Sequence, residues 1–265
     1  MVTTNLLVET DARKIVEKRG RFTVVEYLRD LSVSPKMAQE AYFASEMNIR
    51  KRQLIADIDP FTGVYAQAGE MQLMIGNLDA STNVKGPGDF LKKVVRSSVT
   101  SETIIKPRYT GKGTLVLEPT FYHIILVDLK EWEGDVVIED GMFLACEDTV
   151  DLDIIARKNV SSLILGNEGI FNTKLTGEGL AALESPVPSD ELIVADLDND
   201  VIKIDGDMAI AWSSSLKFTV EKTTRTLTGS LASGEGLVNV YSGTGRVLIA
   251  PVRDNRGISV PKEQP

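Results

Sequence analysis

A glycine-centred segment recurs three times along the chain at a fixed interval. The three copies read YTGKGTLVLEP, LTGEGLAALESP and YSGTGRVLIAP, and their first glycines are Gly111, Gly177 and Gly243. These glycines stand 66 residues apart in both steps. The repeat predicts one structural unit used three times, because a single unit of about 65 residues buries too little apolar surface to be stable alone.

A second glycine marker precedes the first in each copy. Each such glycine follows a β-rich run and precedes another apolar run. Strand-like sequence also follows each Gly-x-Gly of the first marker, whereas a phosphate-binding loop would need a helix there. Glycine adopts positive φ without steric cost, so we interpret both markers as structural turns where two strands meet. The predicted turn glycines are Gly69, Gly111, Gly113, Gly141, Gly177, Gly179, Gly206, Gly243 and Gly245.

Short apolar runs between the markers predict β-strands. Leu216, Phe218 and Val220 alternate with polar residues, which is the pattern of a strand with one buried face. Frequent turn residues between runs are typical of sandwiches and barrels. The predicted fold class is all-β, with three tandem β-sandwich or jelly-roll-like repeats in a pseudo-threefold arrangement and a short α-helical N-terminal segment. Other predicted strands are 22–28, 53–58, 124–127, 136–138, 163–165, 192–195 and 247–249.

The first 50 residues stand outside the repeat. A helix is predicted near 35–47, because Ser34 and Pro35 suit the N-cap and the first helical position and good helix formers follow. The predicted organisation is an N-terminal extension at 1–50, repeats at 51–120, 121–187 and 188–254, and a tail at 255–265.

Charge is distributed unevenly along the chain. Residues 1–53 carry ten Lys/Arg and seven Asp/Glu, a net charge of +3, and the net charge of −9 for the whole chain leaves −12 for residues 54–265. Such an acidic body disfavours nucleic acid and anionic lipid as partners. The basic N-terminal part would serve either a partner contact or the molecule's own assembly.

The first copy also contains an insertion between its glycine markers, assigned to residues 85–96. An insertion in one copy of a repeat maps to a surface loop, which either carries function or acts as a passive lid. We take the basic residues of this insertion and of the segment before the first repeat strand as candidate partner contacts. They are Arg50, Lys51, Arg52, Lys85, Lys92, Lys93 and Arg96.

Residue types required by most enzymes and metal sites are scarce. His123 is the only histidine and Cys146 the only cysteine, so a histidine metal site, an internal disulfide or a Cys–His pair has little support. Cys146 lies in an apolar run and is predicted to be buried. An EF-hand beginning at Asp196 would need glycine where Val201 stands, so the aspartates up to Asp205 are interpreted as a solvated turn between strands. We predict no catalytic residue, metal or cofactor, although a glycosidase-type carboxylate pair stays open.

Targeting signals are not recognised in the sequence. Residues 1–10 have neither the basic n-region nor the apolar h-region of a signal peptide, and no run approaches the length of a membrane span. A single cysteine suits a reducing compartment. We therefore expect a cytoplasmic protein without a membrane span.

Five segments in a fixed order carry a family resemblance. They read QAGEMQ, VKGPGDF, YTGKGTLVLEP, DGMFLA and GEGLVN, and they span about residues 50 to 252. Together they resemble the altered-inheritance-of-mitochondria (mitochondrial biogenesis) family, and the chain looks like a bacterial member. The resemblance implies three repeats similar to the tryptophan RNA-binding attenuator protein subunit. It implies little about activity, because the bacterial members lack an established biochemical role. The mitochondrial members are associated with inner-membrane organisation, and carrying that role across would be analogy from fold and family only.

These observations favour a non-enzymatic scaffold or protein-interaction protein. Its partner is an unknown protein, and the chain itself is a possible homo-oligomer. One alternative is a small-molecule-binding module with a pocket between repeats. The other is RNA binding, which the acidic body disfavours.

Overall fold

The computed structural model describes residues 2–82, 106–132, 135–156, 171–206, 208–222 and 237–252. The fold is mostly β, as predicted, with a helix α1 (Ala38–Glu46). The predicted strand at 163–165, the tail and the insertion with Lys85, Lys92, Lys93 and Arg96 lie outside the described residues. The strands are β1 (Arg13–Arg19), β2 (Phe22–Tyr27), β3 (Arg52–Ile58), β4 (Val64–Ala66), β5 (Met71–Ser81), β6 (Arg108–Leu117), β7 (His123–Asp128), β8 (Val136–Ile138), β9 (Phe143–Glu147), β10 (Val150–Ala156), β11 (Phe171–Gly177), β12 (Leu180–Ser185), β13 (Ile193–Asp205), β14 (Ala209–Ser213), β15 (Lys217–Lys222) and β16 (Leu237–Ile249).

These strands form two antiparallel sheets. The first has the order β1-β2-β3-β6-β4-β9-β12-β7, with β5 paired to β6. The second has the order β10-β11-β8-β14-β16-β13, with β15 paired to β16. Thr120, just before β7, exchanges backbone hydrogen bonds of 2.7 and 2.8 Å with Arg52 at the start of β3. The first sheet is therefore curled like a barrel, because its last strand returns to β3.

Strands β7, β9 and β12 are buried on both faces. In β7, Ile124 and Leu126 join an apolar cluster inside the curled first sheet, whereas Ile125 and Val127 join a second cluster between the two sheets. A third cluster, around Trp212, lies on the other face of the second sheet. A strand with two buried faces reads as a continuous apolar run without alternation, which explains the sequence of β7.

Some of the predicted turn glycines lie in turns, and others lie within or at the ends of strands. Gly69, Gly141 and Gly206 lie in turns and have positive φ. Gly111 instead lies inside β6, where φ is +116° and an added Cβ would stand 2.2 Å from the carbonyl oxygen of Asn77. That position requires glycine because the neighbouring strand approaches closely. Of the remaining predicted turn glycines, Gly113 lies inside β6, Gly177 ends β11, Gly179 precedes β12, and Gly243 and Gly245 lie inside β16.

The acidic run is also a strand rather than a turn. Strand β13 continues through it, with a bulge between Leu197 and Asp200 and a positive φ at Asn199. It pairs only with β16 among the described strands and so forms an edge of the second sheet. Charged side chains are common on such edges because they discourage pairing with other chains.

The N-terminal segment joins the first sheet through β2. The predicted strand at 22–28 corresponds to β2, whereas β1 was not predicted. Helix α1 lies within the predicted range, but its N-cap is Met37 and no side chain caps it. The backbone carbonyl oxygen of Ser34 instead accepts the backbone N–H of Met37 at 3.0 Å, so Ser34 and Pro35 belong to a separate turn before the helix.

Candidate interaction surface at the N-terminal helix

Helix α1 buries none of its residues. Tyr42 and Phe43 are 62% and 58% exposed, and Met47, directly after the helix, is 76% exposed. A helix this short is marginal in water and is normally stabilised by packing an apolar face. We define the exposed side chains of Met37, Tyr42, Phe43 and Met47 as the helix surface.

Polar side chains fix α1 to the sheet, and of its apolar residues only Ala41 and Ala44 are partly buried. The hydroxyl of Ser45 donates to the carbonyl oxygen of Leu28 at 2.7 Å, which ties the last turn of the helix to the end of β2. Arg50 Nε donates to the carbonyl oxygen of Ser45 at 2.9 Å, and Arg50 Nη1 donates to Glu26 Oε1 at 3.2 Å. The helix is thus held at its C-terminal end.

A buried ion pair lies beneath this attachment. Glu26 and Arg52 are opposite each other on β2 and β3, and their side chains are only 6% and 3% exposed. Arg52 Nε donates to Glu26 Oε2 at 2.9 Å, Nη2 lies 2.8 Å from the same oxygen, and Nη2 donates to Asn48 Oδ1 at 2.9 Å. Burial alone would raise the pKa of Glu26, but Arg52, Arg50 and Lys14 outweigh it, so the pKa is lowered. The pair therefore links β2, β3 and the chain after α1.

Lys51 occupies the exposed side of the same region. Its Nζ lies 2.9 Å from Asp30 Oδ2 and 5.8 Å from the centroid of the Phe121 ring. The hydrogen bond from Lys51, with others from Ser32, lowers the pKa of Asp30 to about 2. The loop after β2 is thereby joined to the start of β3.

The structure brings Arg50, Lys51 and Arg52 together at the base of α1. Arg52 is buried, Arg50 is largely covered, and Lys51 is partly exposed. All three contact carboxylates of the same chain, so their role as partner contacts stays a prediction. Sequence reasoning missed the helix surface, although large apolar residues close together in a helix-forming stretch were a signal for it.

Two hollows adjoin α1. The larger, about 600 Å³, lies between α1 and the loop after β2, and its apolar lining includes Leu28, Leu31, Val33 and Tyr42. The smaller, about 200 Å³, lies beyond Met47 at the start of β7. The lining of the smaller hollow includes Met47, Ile49, Phe121, His123, Pro186, Pro188 and Glu191. We call the smaller one the proline-rimmed hollow.

The structure also shows where the cysteine lies and whether described side chains group as metal ligands. Cys146 is fully buried, as predicted, and burial raises the pKa of its thiol. No three His, Cys, Asp or Glu side chains in the described ranges are grouped to hold a metal ion. Among helices in the described part of the chain, none is long and apolar enough to cross a bilayer.

Comparison with known proteins places the body of this chain in a family. A crystal structure of a Streptococcus pyogenes protein superposes with a TM-score of 0.57 at 25% identity, covering 78% of this chain and 90% of that chain. An uncharacterised protein of Streptococcus pyogenes serotype M6 is 29% identical over 201 residues, which are 73% of this chain and 78% of the relative. The family described as Mitochondrial biogenesis AIM24 matches residues 46–252, so β1, β2 and nearly all of α1 precede the match. The chain belongs to the mitochondrial biogenesis AIM24 family.

Proposed function

We propose that this protein is a non-enzymatic scaffold that holds a protein partner against the helix surface. The observation that carries the proposal is an ordered helix whose apolar side chains all remain outside the core. Aromatic residues and methionine are enriched in the buried centres of protein interfaces. A partner that covered Tyr42, Phe43 and Met47 would supply the apolar burial that the body does not give to α1.

The arrangement of these side chains favours a partner with an apolar groove. Phe43 and Met47 are four residues apart and so lie on one side of the helical turn. The rings of Tyr42 and Phe43 meet edge to face, with centroids 5.6 Å apart. Recognition of a helix in a groove uses anchors at this spacing. The proposed partner therefore offers a hydrophobic groove wide enough for two adjacent rings and a methionine.

The experiment compares capture of partners by the wild type and by a Phe43→Ser/Met47→Ser variant, using affinity purification from the native cell and mass spectrometry. Proteins captured by the wild type should be lost from the variant. The matched control is Ile193→Ser/Val201→Ser, which removes two apolar side chains of similar exposure from β13. Both variants should change the free energy of unfolding by less than about 0.5 kcal/mol, because the side chains are exposed. Equal capture by both variants would show that the captured proteins do not bind the helix surface.

The predicted threefold repeat is part of the same proposal, since three copies would make a rigid body to carry the helix. Support comes from the glycine backbone. Gly111, Gly177 and Gly243 have φ of +116°, +105° and +122° at intervals of 66 residues. The proposed compartment remains the cytoplasm, on the basis of a single cysteine.

A further inference from the structure

Glu46 ends helix α1, at a position where a carboxylate is unfavourable for the helix. The helix macrodipole places partial negative charge at this end, so an anion there destabilises the helix and a cation stabilises it. The last turn contains no basic residue that would offset the effect. Glu40 differs, because it lies in the first turn, where the same dipole favours an anion. Helix stability therefore accounts for Glu40 and does not account for Glu46.

The described part of the chain also provides no ion pair for Glu46. Its side chain is exposed, and no described cation lies within ion-pair distance of it. Two arginines share the lining of the larger hollow with it, but Arg50 already contacts Glu26 at 3.2 Å. Carboxylates outnumber arginines in that lining, so the negative charge of Glu46 is not balanced there. The charged residues of the lining are Asp11, Arg29, Asp30, Glu46 and Arg50.

Glu46 stands beside the apolar anchors of the helix surface. It follows Tyr42 by four residues and Phe43 by three, and these spacings make side chains neighbours on a helix. Both aromatic side chains are more than half exposed. Charged groups of an interface lie mainly at its rim, around an apolar centre. A partner that covered the two rings would therefore place the rim of its own groove next to Glu46.

The charge around α1 favours a cation on that rim. Arg50, Lys51 and Arg52, at the base of the helix, all pair with carboxylates of the same chain. Lys36 precedes the helix and so lies at its opposite end from Glu46. The whole chain carries a net charge of −9, which attracts a basic surface and repels an acidic one.

We propose that Glu46 pairs with a lysine or arginine at the rim of the partner's apolar groove, so that the partner is a protein with a basic-rimmed hydrophobic groove. This inference rests on the proposed function, because it names the partner chemistry of the same helix surface. The carboxylate lowers the stability of the helix and in return speeds association and rejects grooves with acidic rims.

The experiment uses Glu46→Gln and Glu46→Lys in the full chain. The probe is a purified protein that the wild type captures and Phe43→Ser/Met47→Ser does not. At low salt the association rate constant should fall roughly threefold for Glu46→Gln and on the order of tenfold for Glu46→Lys, because rim charges act mainly on the association rate. The differences should disappear in about 1 M salt, where the Debye length is about 3 Å.

Thermal unfolding separates this role from a structural one. Both Glu46 variants should melt at or above the wild-type temperature, because each removes an anion from the C-terminal end of the helix. Slower association therefore cannot be attributed to loss of the fold. The control is Asp198→Asn, which removes one negative charge from the exposed edge of β13 and should associate as the wild type does.

Three results would overturn the inference. They are association of Glu46→Lys as fast as that of the wild type, an equal slowing by Asp198→Asn and Glu46→Gln, and a lower melting temperature of both Glu46 variants. If binding needs Phe43 and Met47 but is indifferent to Glu46, this inference fails alone. If no captured protein needs Phe43 and Met47, the proposed function fails and this inference fails with it.

Discussion

Helix α1 and strand β12 are held in place by opposite means. Helix α1 buries no residue and is fixed by directional bonds from Ser45 and Arg50. Strand β12 lies between two apolar clusters, with Ala182 in one and Leu183 in the other. Apolar burial stabilises the body, including β2, whereas polar contacts determine where α1 lies. Polar attachment has the further effect of leaving the apolar side chains of the helix exposed.

The same contrast explains the uneven charge of the sequence. Arg19 of β1 pairs with Asp128, 3.4 Å away, and with Glu131. Arg21, between β1 and β2, pairs with Glu147 of the body at 2.8 Å. The basic N-terminal part was expected to serve either a partner contact or the molecule's own assembly. These arginines bind carboxylates of the same chain, which favours the second interpretation for them.

The largest expected effect comes from breaking the buried ion pair. Glu26→Gln leaves the Arg52 guanidinium buried without its carboxylate, so the free energy of unfolding should fall by about 3–5 kcal/mol. Denaturant unfolding measures this loss, and hydrogen exchange should show that α1 loses protection. The control is Glu221→Gln, which removes an exposed pair with Lys203 and should cost less than about 1 kcal/mol. Equal losses would contradict the polar attachment of α1.

A core truncation tests the other side of the comparison. Leu183→Ala opens a cavity between the two sheets and should lower the free energy of unfolding by about 2–5 kcal/mol. Unlike Glu26→Gln, it should reduce protection from exchange throughout the body. Leu73→Ala on exposed β5 is the matched control and should change stability by less than about 0.5 kcal/mol. Loss of protection confined to α1 would show that the two regions are not separately stabilised.

A smaller effect is expected from acid. The pKa values of Glu26 and Asp30 are lowered in the folded protein, so both carboxylates stabilise it above the ordinary carboxyl pKa of about 4 and lose that contribution as the pH falls toward 2. The difference in unfolding free energy between the wild type and Glu26→Gln should therefore shrink between pH 5 and pH 3 (about one unit either side of that value). A difference that stays constant over this range would contradict a charged Glu26 in the fold.

The sequence predicted several strands whose apolar residues lie in the core, but it missed the buried strands β4 and β14 and the edge strand β1. Runs such as 124–127 and 136–138 are recognisable because nearly every residue is buried. Strand β1 reads RKIVEKR, and charged residues are tolerated there because β1 pairs only with β2 among the described strands. Strand β13 is also an edge strand, and its exposed aspartates resemble a polar turn in the sequence. The bulge between Leu197 and Asp200 adds to this resemblance because it interrupts the strand pattern.

The candidate site was predictable only in part. The composition of residues 35–47 indicates a helix, but it does not show which side packs or whether any side does. Glu26 and Arg52 are 26 residues apart in sequence, and only the register of β2 and β3 places them opposite each other. The attachment of α1 depends on that register, so local patterns could not reveal it.

The position of β12 has a consequence for synthesis of the protein. This strand lies between β7 and β9 in the first sheet, and β9 in turn pairs with β4. However, β12 comes late in the chain, at residues 180–185. The first sheet cannot reach its final order until more than two thirds of the chain has left the ribosome. Until then β7 and β9 lack the strand that joins them, and unpaired apolar edges favour aggregation. A nascent chain that stalls before residue 180 would therefore depend on chaperones to remain in solution.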